Sequence, residues 1–316
     1  MIDRRAFIQG TALAVLVAPL IAEARPATAG RVPRIGVLGD VSPIPWTVKT
    51  SAAEIECRWA DGRRDRLLEL AAELVSLGVD VIVTAGAGPT RAAKSVTRAI
   101  PIVFVAGGDP VGEGLVASVA RPGGNVTGLS VPSEAEIAGQ RLRLLAQAVT
   151  SVGRVAVLTN PDSPSSEHVL RHLRGTAGQA VEVRAFEARS VEEVERAFAA
   201  IVVEEMDGLL VLPDGLFALH ARRLVDLAAE SRLPAVYGAR SFTEAGGLMA
   251  LYGDTAEVIR RATAMVARIL AGSGPATLPV ELLTHLELTV NAGTARALGL
   301  ALPRSLLTRA DTVIGA

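Results

Sequence analysis

The stretch Pro101-Ile-Val-Phe-Val-Ala-Gly-Gly-Asp-Pro110 shows most clearly how this chain folds. Its five consecutive apolar residues are typical of a short strand buried on both faces, as in a parallel sheet. Two glycines, a carboxylate and a proline follow at once, so the strand ends by presenting Asp109. Open α/β sheets bind their ligands outside the carboxyl ends of the strands. The stretch therefore predicts a parallel sheet with Asp109 at its binding edge.

Similar apolar runs recur along the chain, with helical patterns between them. Strands of three to six residues separated by helices indicate the α/β class, with parallel sheets covered on both faces. One short helix is predicted at 114–119, directly after the opening stretch. The predicted strands are residues 34–38, 54–58, 79–84, 102–105, 126–129, 154–159, 181–186, 208–212, 235–237 and 248–251.

A turn cluster in mid-chain, Arg121-Pro-Gly-Gly-Asn-Val-Thr-Gly128, divides this series into two similar halves. The division predicts two doubly wound parallel-sheet lobes joined by a hinge. Two later segments, around Gly246-Gly247 and from Leu278 to Asn291, couple a turn to an extended apolar run and indicate further crossings between the lobes. We expect the N-terminal lobe to contain residues 31–128 and 245–277. The C-terminal lobe is expected to contain residues 129–244 and 278–316.

Residues 1–29 have the features of an export signal and are set apart from the fold. Arg4-Arg5 precedes an apolar run from Ala12 to Ala22, and small residues end the segment at Ala27-Thr28-Ala29. The apolar run is shorter than a bilayer span, and the small residues suit a signal peptidase. The arginine pair favours the twin-arginine route, with the general secretory route as the alternative. The segment predicts a soluble periplasmic protein.

Composition and sequence motifs argue against several classes of function, including nucleic-acid, dinucleotide and metal binding. The chain has 32 basic and 33 acidic residues, so no charge pattern for nucleic acid is visible, and a small molecule or a protein is the expected partner. The loop Ala85-Gly-Ala-Gly88 stands where a dinucleotide fingerprint would begin, but Pro89 and Arg91 break that pattern. His168 and His172 share a helix face without a third metal ligand nearby. No cofactor and no metal are expected.

Polar and aromatic side chains near the predicted strand ends form the candidate binding site. For each of them the alternative is a helix cap or plain packing, since Asp and Asn are favoured before helices. Asp109 could cap a helix that begins near Val111, with Pro110 at its first position. The candidates are Thr84, Gly86, Asp109, Asn160, Asp214, Tyr237 and Tyr252, with Asp40, Trp46, Asp162 and Asp254 as further possible contributors.

Several segments together resemble a known family, the ABC-transporter substrate-binding proteins of the tryptophan/tyrosine type. The resemblance covers nearly all of the chain after residue 30 and is most specific between Gly107 and Gly128. It implies a type I periplasmic-binding fold. The segments that carry it are 33–37, 58–62, 70–74, 81–85, 101–110, 114–116, 121–128, 154–157, 160–161, 246–248, 269–270, 278–280, 291, 297–300 and 309–311.

The resemblance implies an exported monomeric receptor that is not an enzyme. It would bind a small polar solute, an amino acid or related carboxylate, in a cleft between the lobes and deliver it to a membrane permease. A two-lobed racemase or isomerase is the main alternative, although Cys57 has no partner cysteine for acid–base work. A ligand-sensing regulator is a second alternative, which the export signal and the lack of a DNA-reading segment disfavour.

One segment departs from the family pattern. The connection from Gly39 to Glu54 is short for a parallel crossover and contains Pro43 and Pro45, so its helix is expected to be reduced to a turn or missing. A decayed or repurposed relative with no ligand is therefore a third alternative.

Overall fold

A computed structural model of the protein describes residues 31–39, 48–49, 53–61, 63–149, 151–163, 165–178 and 181–315. The predicted export signal, Asp40, Trp46 and most of the connection between Gly39 and Glu54 lie outside these residues. The chain divides into two units. Unit 1 contains the described residues of Met1–Pro132 and Asp254–Thr284, and unit 2 contains those of Ser133–Gly253 and His285–Ala316.

The described residues form fourteen strands and eleven α-helices. The strands are β1 (Arg34–Gly39), β2 (Val48–Lys49), β3 (Glu54–Trp59), β4 (Val81–Ala85), β5 (Ile102–Gly107), β6 (Val126–Val131), β7 (Arg154–Thr159), β8 (Glu182–Glu187), β9 (Gly208–Val211), β10 (Ala235–Tyr237), β11 (Met249–Gly253), β12 (Glu281–Leu282), β13 (Leu286–Asn291) and β14 (Thr312–Ile314). The helices are α1 (Leu67–Ser76), α2 (Ala87–Val96), α3 (Glu134–Ala148), α4 (Ser166–Ala177), α5 (Val191–Val203), α6 (Gly215–Leu219), α7 (Ala221–Glu230), α8 (Arg240–Glu244), α9 (Thr255–Leu270), α10 (Ala292–Ala297) and α11 (Arg304–Arg309).

Each unit is built around a seven-stranded sheet. The strand order is β12-β6-β5-β4-β1-β3-β2 in unit 1 and β14-β13-β11-β10-β9-β7-β8 in unit 2. Neighbouring strands are parallel except for two antiparallel pairs, β2 with β3 and β11 with β13. The predicted α/β class with two parallel-dominated sheets is confirmed.

Helices cover both faces of each sheet because each sheet is apolar on both sides. In unit 1, one buried cluster includes Leu70 and Leu74 of α1, and a second cluster includes Met265 and Val266 of α9. In unit 2, one buried cluster contains residues of α3 and α4, and the other contains residues of α5 and α7. Buried residues of α9 recur every three or four positions, at Ile259, Thr263, Val266 and Ile269, which is the spacing of one helical face.

The chain passes between the units after Pro132, Gly253 and Thr284, and these positions correct the predicted boundaries after residues 128, 244 and 277. The differences arise from strand pairing. Strand β6 stays in unit 1 as far as Val131, which pairs with Gly107. Strand β11 pairs with β10 and β13 in unit 2, whereas β12 pairs with β6 in unit 1.

Side-chain hydrogen bonds close the start of α3. Ser133 is its N-cap and accepts a hydrogen bond from the Glu136 amide at 3.3 Å, while the Glu136 carboxylate accepts one from the Ser133 amide at 2.7 Å. This reciprocal pair is a capping box, which satisfies two backbone donors that the helix leaves free.

The helix predicted at 114–119 does not form, and this prediction was wrong. The chain from Pro110 instead makes a series of turns closed by backbone bonds such as Leu115 N–H to Pro110 O at 2.9 Å. Gly114 has a φ of 70°, a conformation that interrupts a right-handed helix and that glycine adopts without strain. Strands β5 and β6 are therefore connected through irregular chain.

Two further features concern the described residues. None of their helices is long and apolar enough to cross a membrane. Cys57, on β3, is partly buried, and its burial raises the pKa of the thiol to about 11. The thiol is consequently protonated at neutral pH, the unreactive form of a cysteine.

Candidate functional site

The carboxyl end of β4 in unit 1 is a hydrogen-bonded loop around Gly86. Thr84 is fully buried and its hydroxyl lies 2.8 Å from that of Thr90, which donates to the Gly86 carbonyl at 2.7 Å. Gly86 has a φ of 103°, which a residue with a side chain rarely adopts, and it precedes α2. The first amides of a helix have no partner within it. Thr84 therefore supports a loop in which Gly86 and the start of α2 are partly exposed.

Asp109 follows β5 in unit 1 and is exposed. Its Oδ1 accepts a hydrogen bond from the Val111 amide at 3.0 Å, and its carbonyl accepts one from the Glu113 amide at 2.9 Å. The side chain thus caps a turn. This is the capping role that the alternative interpretation predicted, although no helix follows it. Its second oxygen, Oδ2, makes no hydrogen bond to any described residue, so one acceptor of this carboxylate is unused.

The carboxyl ends of β7 and β9 in unit 2 bring Asn160 and Asp214 together. The Asn160 amide nitrogen donates to Asp214 Oδ2 at 3.2 Å. Asp214 Oδ1 accepts from the Leu216 amide at 2.8 Å and so caps α6. Asn160 Oδ1 accepts from the Asp162 amide at 3.0 Å. Two sequence candidates 54 residues apart therefore form one polar pair, as the shared sheet edge predicts.

The two tyrosines of unit 2 have different environments. Tyr252, at the end of β11, is partly exposed, and its hydroxyl donates to Glu287 Oε2 at 2.8 Å. Tyr237 is 1% exposed and stacks on Phe242 with ring centroids 4.6 Å apart. Burial raises the pKa of both hydroxyls, so both are protonated at neutral pH. Tyr237 is a core residue in this structure, whereas the partly exposed side chain of Tyr252 is accessible to a ligand.

Two polar side chains near these edges were not predicted from the sequence. Arg141 of α3 is 1% exposed, and its position on the buried face between Ala138 and Leu145 was the available signal. Trp59, at the end of β3, has a buried indole N–H without a hydrogen-bond partner among the described residues. Its ring lies over Gly39, where a Cβ would come within 2.2 Å of it. Neither was predicted, because residues in contact with these side chains, such as Leu251 and Gly39, are distant from them in sequence.

Metal ligation has no support in the part of the chain that the structure describes. No group of three His, Cys, Asp or Glu side chains is arranged there to hold an ion. His172 instead packs against α3, 3.2 Å from the place where a Cβ of Gly139 would lie. The candidate site therefore consists of hydrogen-bonding and aromatic groups at the carboxyl ends of the strands.

A sequence model described as ABC transporter substrate binding protein matches residues 47–314, nearly the whole described chain. The chain belongs to this family. Family members bind solutes for ABC transporters and are not enzymes, which confirms the expected lack of catalysis and disfavours the racemase alternative. The family binds small molecules for membrane ABC transporters and is typically extracellular or periplasmic.

Individual relatives and solved structures are 23–26% identical to this chain. A tyrosine-binding protein of Clostridioides difficile (strain R20291) is 26% identical over 230 residues, which are 72% of this chain and 66% of that protein, just under two thirds of its length. A conserved domain protein from Vibrio cholerae is 25% identical with a TM-score of 0.66, covering 90% of this chain and 100% of that one. An ABC domain from Streptococcus pneumoniae in complex with L-Trp is 23% identical with a TM-score of 0.65, at the same coverage, and shows the shared fold.

Proposed function

We propose that this substrate-binding protein is an exported receptor for an amino acid, which it delivers to the permease of its transporter. The observation that carries the proposal is the Asp109 carboxylate, exposed at the end of a buried parallel strand with Oδ2 unused. A free carboxylate oxygen is the natural partner of a substrate ammonium group, and charge-assisted hydrogen bonds of this kind are the strong ones.

The carboxyl ends of the strands in both units would contribute to the solute site. In unit 1, Gly86 exposes the start of α2, whose amides and dipole favour the solute carboxylate. Thr84 would act from beneath by holding this loop through Thr90. This arrangement separates the two charges of an amino acid between Asp109 and the helix start.

In unit 2, the Asn160–Asp214 pair retains hydrogen-bonding capacity for the same solute. Asn160 has a second amide hydrogen, and the Asp214 oxygens each have a further lone pair. The ring of Tyr252 would supply an apolar wall, while Tyr237 would support the edge from within the core. A solute that contacts both units favours the state in which both contacts are made, which is the physical basis of closure on a ligand.

L-tyrosine and L-tryptophan are the first ligands to test, because a tyrosine-binding relative and a fold neighbour in complex with L-Trp are known. At a concentration a hundred times the Kd, a ligand adds about 2.7 kcal/mol to the free energy of unfolding, or about 5–10 °C in Tm. We expect such a shift with one of the two and none with glucose. No shift with any free amino acid at millimolar concentration would contradict the proposal.

Export and oligomeric state are part of the same proposal. Cleavage after Ala29 and a mature protein in the periplasm are supported by the Arg4-Arg5 pair, the apolar run and Ala27-Thr28-Ala29. We expect that mature protein to be a monomer. Mass spectrometry of the exported protein should give a chain that begins at Gly30. Retention of Met1 in the exported protein would argue against the signal. Replacement of both arginines by lysine distinguishes the two export routes, because only the twin-arginine route should be blocked.

A further inference from the structure

Arg141 is the largest side chain among those with less than 2% exposure in the described residues. Its Nε donates to the carbonyl oxygen of Leu251 at 2.8 Å, and its Nη1 forms an ion pair with Glu134. Nη2 lies 3.3 Å from where a Cβ of Gly238 would be placed. The planar guanidinium fork thus makes two directed contacts that a lysine could not make together.

Both contacts lie beside places where the chain passes between the units. We call the passage after Pro132 connection 1, the passage after Gly253 connection 2, and the passage after Thr284 connection 3. Glu134 is the second residue of unit 2 after connection 1, and Leu251 lies two residues before connection 2. One buried guanidinium therefore joins the unit 2 ends of two connections, through a bond between residues that are 110 positions apart in sequence.

Connection 3 is also linked to the end of β11, by a different contact. Strand β13 begins two residues after Thr284 and pairs antiparallel with β11, with Tyr252 opposite Glu287. The Tyr252 hydroxyl donates to Glu287 at 2.8 Å. The end of β11 is consequently bonded to connection 1 through Arg141 and to connection 3 through its own ladder.

Stability is a weak explanation for a buried arginine. The cost of removing two charges from water often equals the gain from pairing them, and apolar replacements of similar volume are frequently neutral or stabilising. Ala138, Leu142 and Leu145 of the same helix lie in a buried apolar cluster. What an apolar residue could not do is hold Glu134 and the Leu251 carbonyl in a set geometry.

We propose that Arg141 is a positioning residue that holds the unit 2 ends of connections 1 and 2 as one rigid body. Bending during solute capture is then confined to the few residues at the unit boundaries. This inference rests on the proposed function only for its use in solute capture. The fastening itself is a property of the ligand-free protein and is tested without ligand.

Hydrogen exchange of the full chain without ligand is the decisive measurement. We compare Arg141→Met with Arg143→Met, which removes an exposed arginine from the same helix. In Arg141→Met, exchange in residues 133–137 and 249–253 should rise together by about tenfold or more, with β7 unchanged, because local opening is measured separately from global unfolding. Arg143→Met should exchange like the unmodified protein. A rise in one segment only, or an equal rise throughout unit 2, would overturn the proposal.

Glu134→Gln provides a second test that leaves Arg141 buried and its bond to Leu251 in place. It should raise exchange in residues 133–137 while 249–253 stays protected, since only one side of the fastening is weakened. Unchanged exchange in 133–137 would overturn the proposal. This variant also decides the question if Arg141→Met does not fold.

Titration with L-tyrosine and L-tryptophan extends the test to solute capture. If the binding-competent geometry becomes one of several, affinity falls by the fraction that remains competent, about tenfold in Arg141→Met and little in Arg143→Met. Equal affinity in all three proteins would overturn the role in capture. If the unmodified protein binds neither amino acid, the proposed function fails, whereas the exchange result still decides whether Arg141 fastens the connections.

Discussion

The substitution Asp109→Asn is expected to weaken binding of L-tyrosine or L-tryptophan by about ten- to a hundred-fold, whichever of the two the protein binds. Asparagine keeps the Oδ1 acceptor that caps the Val111 amide but removes the negative charge. A hydrogen bond to a charged group contributes about 1.5–3 kcal/mol, which corresponds to this change in Kd. Calorimetric titration measures the affinity directly.

Stability and net charge are controlled separately in that experiment. The Tm of Asp109→Asn should match that of the unmodified protein, whereas Asp109→Ala should lower it because the turn loses its cap. Asp226→Asn removes an equal charge from α7, where the carboxylate pairs with Arg222 on the surface. Its affinity should not change. If Asp109→Asn binds as tightly as Asp226→Asn, Asp109 is a turn cap and makes no ligand contact.

The substitution Gly128→Ala is expected to prevent unit 1 from folding or to cost about 3 kcal/mol or more of stability. Gly128 lies on β6 opposite Phe104 of β5. A Cβ at residue 128 would lie 2.2 Å from the Phe104 carbonyl oxygen and 2.6 Å from its amide nitrogen. These are backbone atoms of a central strand, so they cannot move aside without breaking the sheet.

A matched glycine gives the opposite expectation. Gly175 is in α4, and a Cβ there would meet nothing within 4 Å. Gly175→Ala should stabilise the protein by about 0.5–1 kcal/mol, because alanine is the better helix former. Urea unfolding followed by circular dichroism compares the two variants on one scale. An unfolding midpoint for Gly128→Ala equal to that of the unmodified protein would show that β5 and β6 separate easily.

Much of the fold could be predicted from short-range patterns. The apolar runs at 102–105 and 154–159 predicted two strands correctly to within two residues. Such patterns suffice because a strand or a helix start depends on the apolar content and hydrogen-bonding groups of a few neighbouring residues. The same reasoning brought Asn160 and Asp214 to one edge, since parallel strands end together.

Only the tertiary structure decided which sheet each late strand joins and which polar groups are buried. Strand β11 pairs in unit 2 and the two-residue β12 in unit 1, so the chain crosses after Gly253 and Thr284 rather than after residues 244 and 277. Arginine side chains are usually exposed, but Arg141 is buried in this structure. Contacts such as the pairing of β12 with β6 and the bond from Arg141 to Leu251 join residues that are far apart in sequence, and no local pattern encodes them.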